Sequence, residues 1–221
     1  GNDFSQYKTS TILRRIERRM GIHPFDSLDA YVAFLRENPH EAELLAKELL
    51  IGVTSFFRDP PVWERLAEDV LPTLVRAREG STLRAWVPAC STGEEAYSLA
   101  MAIREAVDAA KLARPVQVQI FATDLDRDGI DAARVGIYPA NIAADVSSER
   151  LERFFVRDER GYRVVKEVRE MVVFAPHNVT RDPPFTKVDV LACRNLLVYL
   201  APEVQRRLIA LFHYSRNPGG V

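Results

Sequence analysis

Several features that mark particular protein classes are scarce in this sequence of 221 residues. It has two cysteines, Cys90 and Cys193, and no C-x-x-C pair, which argues against a disulfide scaffold and fits a reducing compartment. No apolar run approaches the roughly 20 residues that span a bilayer, and the polar N-terminus shows no cleavable signal. We therefore expect a cytoplasmic protein that is not itself a membrane protein.

An excess of charge of one sign is also missing. The formal net charge is -1, so no overall field attracts nucleic acid or an anionic membrane. The histidines are scattered without the spacing of metal ligands, and we predict no metal site.

Helical patterns fill the region before residue 81, and no β-type run interrupts them. We predict a helix that stops at Gly21, a second capped by Ser27, and a third that opens at Pro39 and closes at Gly52. Pro72 should kink the next helix or start a new one. The predicted organisation is a helical N-terminal domain over residues 1–58 and a linker helix over 59–80.

From Leu83 onward, short apolar runs alternate with helical stretches. The runs are LRAWV, VQVQIFATD, MVVFA and VDVLA. Helices are predicted from Glu94 to Ala109 and from Asp128 to Val135. This order is typical of an α/β fold with a doubly wound parallel sheet, here over residues 81–221.

An insertion at about residues 136–170 breaks this rhythm. It contains a short helix, SSERLERFF, and then GYRVVKEVRE, which favours a hairpin or a small antiparallel piece. The chain ends with a helix, a Pro-Gly-Gly turn and Val221, which is the first residue of a predicted further strand. We predict that the C-terminal strands of the sheet are missing from this chain.

The turn PACSTGEE follows the first predicted strand, where doubly wound folds place their ligands. It contains neither the P-loop lysine nor a G-x-G-x-x-G fingerprint. Glu94 and Glu95 would repel the pyrophosphate of NAD. One interpretation is that the helix dipole stabilises both carboxylates by about 0.3–1 kcal/mol each, with Ser91 or Thr92 as the cap. The other is that the ligand is cationic.

Asp124 ends the second predicted strand, where a carboxylate can accept hydrogen bonds from both hydroxyls of a ribose. It also fits a cap for the helix that starts near Arg127. A carboxylate for the sugar, a turn of small residues and no phosphate-binding group together favour a cationic nucleoside. S-adenosylmethionine carries both a sulfonium and an ammonium group.

Five segments, in order along the chain, resemble the motifs of CheR-type chemoreceptor glutamate methyltransferases. They are VTSFFRD, WVPACSTGEEAYSLAM, ATDLDRDGIDAARVGIYP, FAPHNV and CRNLLVYL. The resemblance runs from about Phe4 to Val221 and implies a Rossmann-like class I methyltransferase fold. Parts of the sequence are also similar to CheR domains fused to other signalling modules, including CheB-type methylesterase domains.

The resemblance implies roles for the residues of the first three motifs. Thr54 and Arg58 would touch the methionine part of S-adenosylmethionine. Ala89 would lie against it in the turn, Glu95 would bind its amino group, and Asp124 would hold the ribose.

It also implies roles for the last two motifs. Asn178 and Val179 would frame the adenine, Asn195 and Leu196 would line the cofactor pocket, and Tyr199 would lie with Arg58 near the transfer site. Other interpretations stay open: Asn178 and Asn195 fit turn residues, Tyr199 fits core packing, and Arg58 fits a solvated charge at a helix entry.

The sequence departs from the family pattern at two positions of the implied site. Gly52 stands where many members have Asn, so one cofactor contact is in doubt. Cys90 stands where the family often has alanine or glycine.

The implied reaction moves a methyl group to a glutamate carboxylate, with S-adenosylhomocysteine as the other product. Its expected partners are the glutamate-rich cytoplasmic helices of chemoreceptors. Arg14, Arg15, Arg18 and Arg19 crowd one short helix, and we predict that they bind this acidic partner. A solvated basic face is the alternative, and no aromatic platform accompanies the arginines as nucleic-acid binding would require. The alternative function is a non-catalytic domain that senses S-adenosylmethionine or docks in a larger signalling protein.

Overall fold

The computed structural model describes residues 3–23 and 25–221. Gly1 and Asn2, at the start of the predicted helical domain, lie outside the described residues, as does Pro24. The chain forms two compact units: Gly1–Ile51 with Arg194–Leu208, and Gly52–Cys193 with Ile209–Val221. The domain limits predicted at residues 58 and 80 remain a proposal.

The first unit, which we call the helical unit, is built from the helices predicted near the N-terminus. They are α1 Thr9–Ile22, α2 Leu28–Glu37 and α3 Pro39–Leu49. Ser27 caps α2 by accepting a hydrogen bond from the Ala30 N–H at 3.2 Å, which confirms the predicted start. The predicted stops were less accurate, because α1 continues through Gly21 and α3 ends before Gly52.

A buried ion pair joins α1 to α3. The Glu41 carboxylate, only 5% exposed, accepts from the Arg19 guanidinium through two nitrogens and from the Tyr31 hydroxyl at 2.8 Å. These hydrogen bonds, led by that of Arg19, lower the pKa of Glu41 to about 2. A buried carboxylate needs such partners because its desolvation is otherwise unfavourable.

The second unit, which we call the sheet unit, contains a parallel sheet in the order β6-β2-β1-β7. Its strands are β1 Thr82–Pro88, β2 Gln117–Asp124, β6 Val172–Pro176 and β7 Val190–Leu191. The crossover helices are α6 Glu94–Ala110 and α7 Arg127–Val135. These elements confirm the predicted alternation of strands and helices. β1 lies in the interior of the sheet with Leu83, Ala85, Trp86 and Val87 buried, as its largely apolar sequence indicates.

The helical segment before β1 is interrupted as Pro72 predicts. α4 Pro60–Arg65 passes into a π-helical stretch, Leu66–Val70, and then into α5 Leu71–Ala77. Proline lacks the N–H that would continue the α-helical ladder, so the hydrogen-bonding pattern changes in the turn before it.

The insertion forms a separate antiparallel sheet, β3-β5-β4. Its elements are β3 Ile137–Tyr138, α8 Ser148–Phe154, β4 Phe155–Asp158, β5 Gly161–Val164 and α9 Lys166–Arg169. The predicted antiparallel piece is present, but its partner strand is FVRD and KEVR is helical. Gly161 closes the β4–β5 hairpin at φ 136°, where an added Cβ would lie 2.2 Å from the Tyr138 carbonyl oxygen.

The last helix is α10 Pro202–Ser215. Its residues up to Leu208 belong to the helical unit, and those from Ile209 onward belong to the sheet unit. After it, Val221 makes two backbone hydrogen bonds beside β7: its N–H donates to the Asp189 carbonyl, and its carbonyl accepts from the Leu191 N–H. No helix among residues 3–23 and 25–221 is long and apolar enough to cross a membrane.

Candidate functional site

The turn between β1 and α6, residues 89–93, has a strained backbone. Ala89 and Ser91 adopt positive φ values of 58° and 50°, and Gly93 has φ 96°. A Cβ at Gly93 would lie 2.8 Å from the Ala133 Cβ, so only glycine fits there. The sequence predicts that this segment contacts the cofactor, and we call it the cofactor turn. Such strain persists only where surrounding contacts hold it, and it is frequent at ligand sites.

Asp124, at the end of β2, is one of those contacts. Its Oδ2 accepts from the Ser91 N–H at 2.7 Å, and its Oδ1 accepts from the Asp126 N–H at 2.9 Å. Burial nevertheless raises the pKa of Asp124. The alternative that Asp124 caps α7 was wrong, because Asp126 is the cap and accepts from the Asp128 N–H.

The first turn of α6 adds two more carboxylates. The side chains of Ser91 and Thr92 do not cap this helix, because its N-cap is Gly93, and the Thr92 hydroxyl lies 2.7 Å from Glu94 Oε2. Burial also raises the pKa of Glu94. The predicted capping role for Ser91 or Thr92 was therefore wrong. Glu94 and Glu95 do lie in the first turn of α6, as predicted.

The three carboxylates share one neighbourhood. After burial itself, the negative charges of Asp124, Glu94 and Glu95 all raise the pKa of the Cys90 thiol. Burial, and after it the charge of Glu95, raises the pKa of Cys193 to about 12. Negative charge concentrated at buried strand ends disfavours a phosphate ligand and favours a cationic one.

A second segment, residues 52–59, lies beside the cofactor turn. The Ser91 hydroxyl lies 3.4 Å from the Gly52 carbonyl oxygen, to which it donates. Within this segment the half-buried Arg58 donates through Nη1 to the Val53 carbonyl at 3.0 Å. One edge of the guanidinium is thus fixed locally. We call residues 52–59 the arginine segment.

The carboxyl end of β6 meets that of β2. The His177 N–H donates to the Asp124 carbonyl at 2.9 Å, which brings Asn178 and Val179 to the same edge of the sheet. Asn178 Oδ1 accepts from the Thr180 N–H and lies 2.7 Å from its hydroxyl, so Asn178 does serve as a turn residue. These two contacts use the side-chain oxygen of Asn178 and not its side-chain NH₂ group. The predicted place of Asn178 beside the adenine stays a prediction.

Two protein-family models together match nearly the whole chain. A family model described as the CheR methyltransferase SAM binding domain matches residues 52–221. A second, described as the CheR methyltransferase all-alpha domain, matches residues 1–50. The chain belongs to the CheR methyltransferase family. The predicted family and fold class are confirmed, including the helical domain before the sheet.

Three relatives illustrate the similarity. An uncharacterized 104.1 kDa protein of Rhodobacter capsulatus is 44% identical over 219 residues, which cover 99% of this chain and 23% of that protein. Chemotaxis protein methyltransferase 2 of Vibrio cholerae is 31% identical, over 99% of this chain and 77% of its own length. Chemotaxis protein methyltransferase 1 of Pseudomonas aeruginosa is 34% identical, over 97% and 79% respectively. The chain thus spans less than a quarter of the first relative.

Two predicted cofactor residues of this CheR chain, Asn195 and Leu196, and the predicted transfer-site residue Tyr199 belong to the helical unit. Asn195 has φ 60°, and Leu196 precedes a single 3₁₀ turn, Leu197–Tyr199. The Tyr199 carbonyl accepts from the Lys8 N–H at 2.8 Å. The Tyr199 side chain is only half-buried, and the roles of all three residues stay predictions.

The four arginines of α1 separate into two groups. Arg14 and Arg18, four residues apart, are exposed, and Arg15 is half-buried. Arg19 is only 11% exposed and forms the ion pair with Glu41. The predicted binding of the acidic partner by all four arginines stays a prediction, and Arg19 is already engaged in an ion pair that stabilises the helical unit.

Sequence reasoning missed two side chains that contact the site. The Tyr138 hydroxyl, on β3, donates to the Thr92 carbonyl of the cofactor turn at 2.7 Å. Ser98, on α6, bonds the arginine segment through its hydroxyl. A serine on the apolar face of a helix was the available signal for Ser98, and the contact of Tyr138 depends on how the insertion folds back.

Proposed function

We propose that this CheR chain binds S-adenosylmethionine at the cofactor turn and methylates glutamate side chains of chemotaxis receptors. The observation that carries the proposal is the acidic edge of the sheet: Asp124, held by two backbone N–H groups, with Glu94 and Glu95 on the adjoining helix. The names of the relatives support chemotaxis as the setting.

The residues present fit this cofactor. Asp124 can accept hydrogen bonds from ribose hydroxyls in addition to the two backbone bonds it has, because a carboxylate offers about four lone pairs. Glu95 is proposed to bind the amino group, Ala89 to pack against the methionine part, and Asn178 and Val179 to flank the adenine. Burial raises the pKa of Asp124, and the positive charge of the ligand would favour its ionised form and so oppose this effect.

Bound S-adenosylmethionine supplies an electrophilic methyl group on a sulfonium, and the products are a glutamyl methyl ester and S-adenosylhomocysteine. A glutamate side chain, with a pKa of about 4.3, is already ionised at neutral pH, so no general base is needed. The protein's contribution is alignment, which can amount to about 7–11 kcal/mol in ideal cases.

Arg58 and Tyr199 are the proposed residues that hold the incoming carboxylate, with Thr54, Asn195 and Leu196 as further cofactor contacts. One Nη of Arg58 donates to the Val53 carbonyl, and a guanidinium has further N–H donors for a carboxylate. The proposed mechanism relies on orientation and has no covalent enzyme intermediate.

The proposed partner surface is the exposed basic face of α1, with Arg14 and Arg18 at its centre and Arg15 beside them. Opposite charge would steer the glutamate-rich, cytoplasmic helices of receptors toward it. The two cysteines, both free, are compatible with a reducing compartment.

The test is methyl transfer from radiolabelled S-adenosylmethionine to receptor-containing membranes, with calorimetric titration of S-adenosylhomocysteine alongside. We expect base-labile label on the receptor, as a glutamyl methyl ester requires. Binding without any transfer would replace this proposal with a non-catalytic sensing or docking domain. The absence of both would remove the cofactor as well.

A further inference from the structure

The arginine segment and the first turn of α6 are joined by one fully buried hydroxyl. The Phe57 N–H donates to Ser98 Oγ at 3.0 Å, and the same hydroxyl donates to the Glu94 carbonyl at 2.7 Å. Ser98 has 0% exposure. Its donor and its acceptor are therefore both used, one on each segment.

Packing alone does not call for a hydroxyl at this position. The neighbours of Ser98 on α6, Tyr97, Leu99 and Ala100, are also buried, and the helix continues for many residues beyond them. Alanine would fill nearly the same volume and is a better helix former than serine. A hydroxyl is needed at this position because it accepts a hydrogen bond from the backbone N–H of Phe57, which alanine could not do.

The backbone that Ser98 holds is strained. Phe57 has φ 47° and Asp59 has φ 56°, so Arg58 lies between two left-handed residues that lack the freedom of glycine. The Arg58 carbonyl accepts from the Trp63 indole N–H at 2.8 Å. Arg58 is thus anchored on both sides, by Ser98 through Phe57 and by Trp63 directly.

We propose that Ser98 is a positioning residue that holds the arginine segment on the N-terminal turn of α6 and thereby aims Arg58 for transfer. This inference rests on the proposed methyltransferase function, because it concerns the arrangement of Arg58 relative to the helix that carries Glu94 and Glu95. Ser98 contacts neither the cofactor nor the receptor in this account. Its effect passes through the Phe57 amide.

The test compares Ser98→Ala with a matched control, Ser215→Ala. Ser215 also has 0% exposure, and its hydroxyl makes the same type of bond, to the Leu211 carbonyl four residues earlier at 2.8 Å. Only Ser98 accepts from the arginine segment. Both variants are measured for thermal midpoint, for hydrogen exchange of the Phe57 amide, and for kcat and KM.

We expect Ser98→Ala to raise the exchange rate of the Phe57 amide at least about tenfold and to lower kcat roughly 10–100-fold, since a misplacement of about 1 Å has effects of that size. The KM for S-adenosylmethionine should change less than kcat, because Arg58 is one of several proposed cofactor contacts and the proposed ribose contact of Asp124 is untouched. Ser215→Ala should leave exchange and kcat near wild type. Ser98→Cys, with a weaker donor and acceptor, should fall between and serves if the alanine variant does not fold.

Two results would overturn the proposal: faster exchange with unchanged kcat, or an unchanged exchange rate of Phe57 in the folded variant. Failure of the proposed function is a separate outcome, namely a wild-type protein that transfers no methyl group. In that case the exchange rate of the Phe57 amide still shows whether Ser98 holds the arginine segment. The proposed role of Ser98 in methyl transfer would then be wrong, because there is no transfer to support.

Discussion

Replacement of Asp124 by asparagine tests the proposed ribose contact with little change in shape. Hydrogen bonds to a charged group contribute about 1.5–3 kcal/mol, compared with about 0.5–1.5 for neutral pairs. If two ribose hydroxyls each lose about 1 kcal/mol, the affinity for S-adenosylhomocysteine falls roughly 30-fold. Titration calorimetry measures this directly.

The same change affects folding less, because two effects oppose each other. The carboxamide oxygen can accept from only one of the Ser91 and Asp126 N–H groups that Asp124 now holds, and a buried N–H left alone costs about 1–3 kcal/mol. Removing a buried charge whose pKa is raised offsets part of that cost. We expect a net loss of about 1 kcal/mol, which is about 2–4 °C in the thermal midpoint.

The matched control is Asp126→Asn, two residues away at the cap of α7. Asparagine caps helices as well as aspartate does, so stability should hold and affinity should change by less than about threefold. The proposed ribose contact of Asp124 would be wrong if the folded Asp124→Asn variant binds S-adenosylhomocysteine within about threefold of wild type.

Three further predictions follow from the same contacts. Burial raises the pKa of Asp124 and Glu94, and their ionised forms add negative charge that favours the cationic ligand S-adenosylmethionine, so its affinity should be constant at higher pH and fall as pH drops through these raised values. Arg58→Ala should lower kcat by at least about tenfold with a thermal midpoint near wild type, since its side-chain bond is local. Tyr138→Phe removes the hydroxyl that supports the cofactor turn and should weaken S-adenosylhomocysteine binding about threefold to tenfold. The control Tyr97→Phe removes another hydroxyl of a buried tyrosine, one that donates to the Ala133 carbonyl, and its binding should stay near wild type.

Each of these has a result that contradicts it. Calorimetry at a series of pH values would show no loss of affinity if neither carboxylate contacts the ligand. Steady-state rates of Arg58→Ala close to wild type would take Arg58 out of the transfer site. Equal effects of the two tyrosine variants would mean that Tyr138 matters only for packing.

The parallel sheet could be predicted because each of its strands is marked by a short apolar run in the sequence itself. Residues 85–87 and 120–122 are uninterrupted apolar stretches, as expected for strands in the middle of a covered sheet. The insertion was less predictable, since FVRD follows a helical pattern directly and becomes β4 only by pairing with β5. KEVR has β-branched neighbours but forms α9, which shows tertiary context overriding propensity.

At the site, the residue types could be predicted but their partners could not. The acidic turn and Asp124 follow from their positions at strand ends. The contacts of Ser98 with Phe57 and of Tyr138 with Thr92 join residues about 40 positions apart, which no local pattern encodes. Arg19 fits the same basic pattern as Arg18, and only its ion pair with Glu41 separates them.

The most direct test of the central claim is a crystal structure of the protein with S-adenosylhomocysteine. We predict that the ribose hydroxyls lie within hydrogen-bonding distance of the Asp124 carboxylate and that the amino group faces Glu95. A nucleoside bound elsewhere, or a phosphate group seated against residues 91–95, would contradict the account.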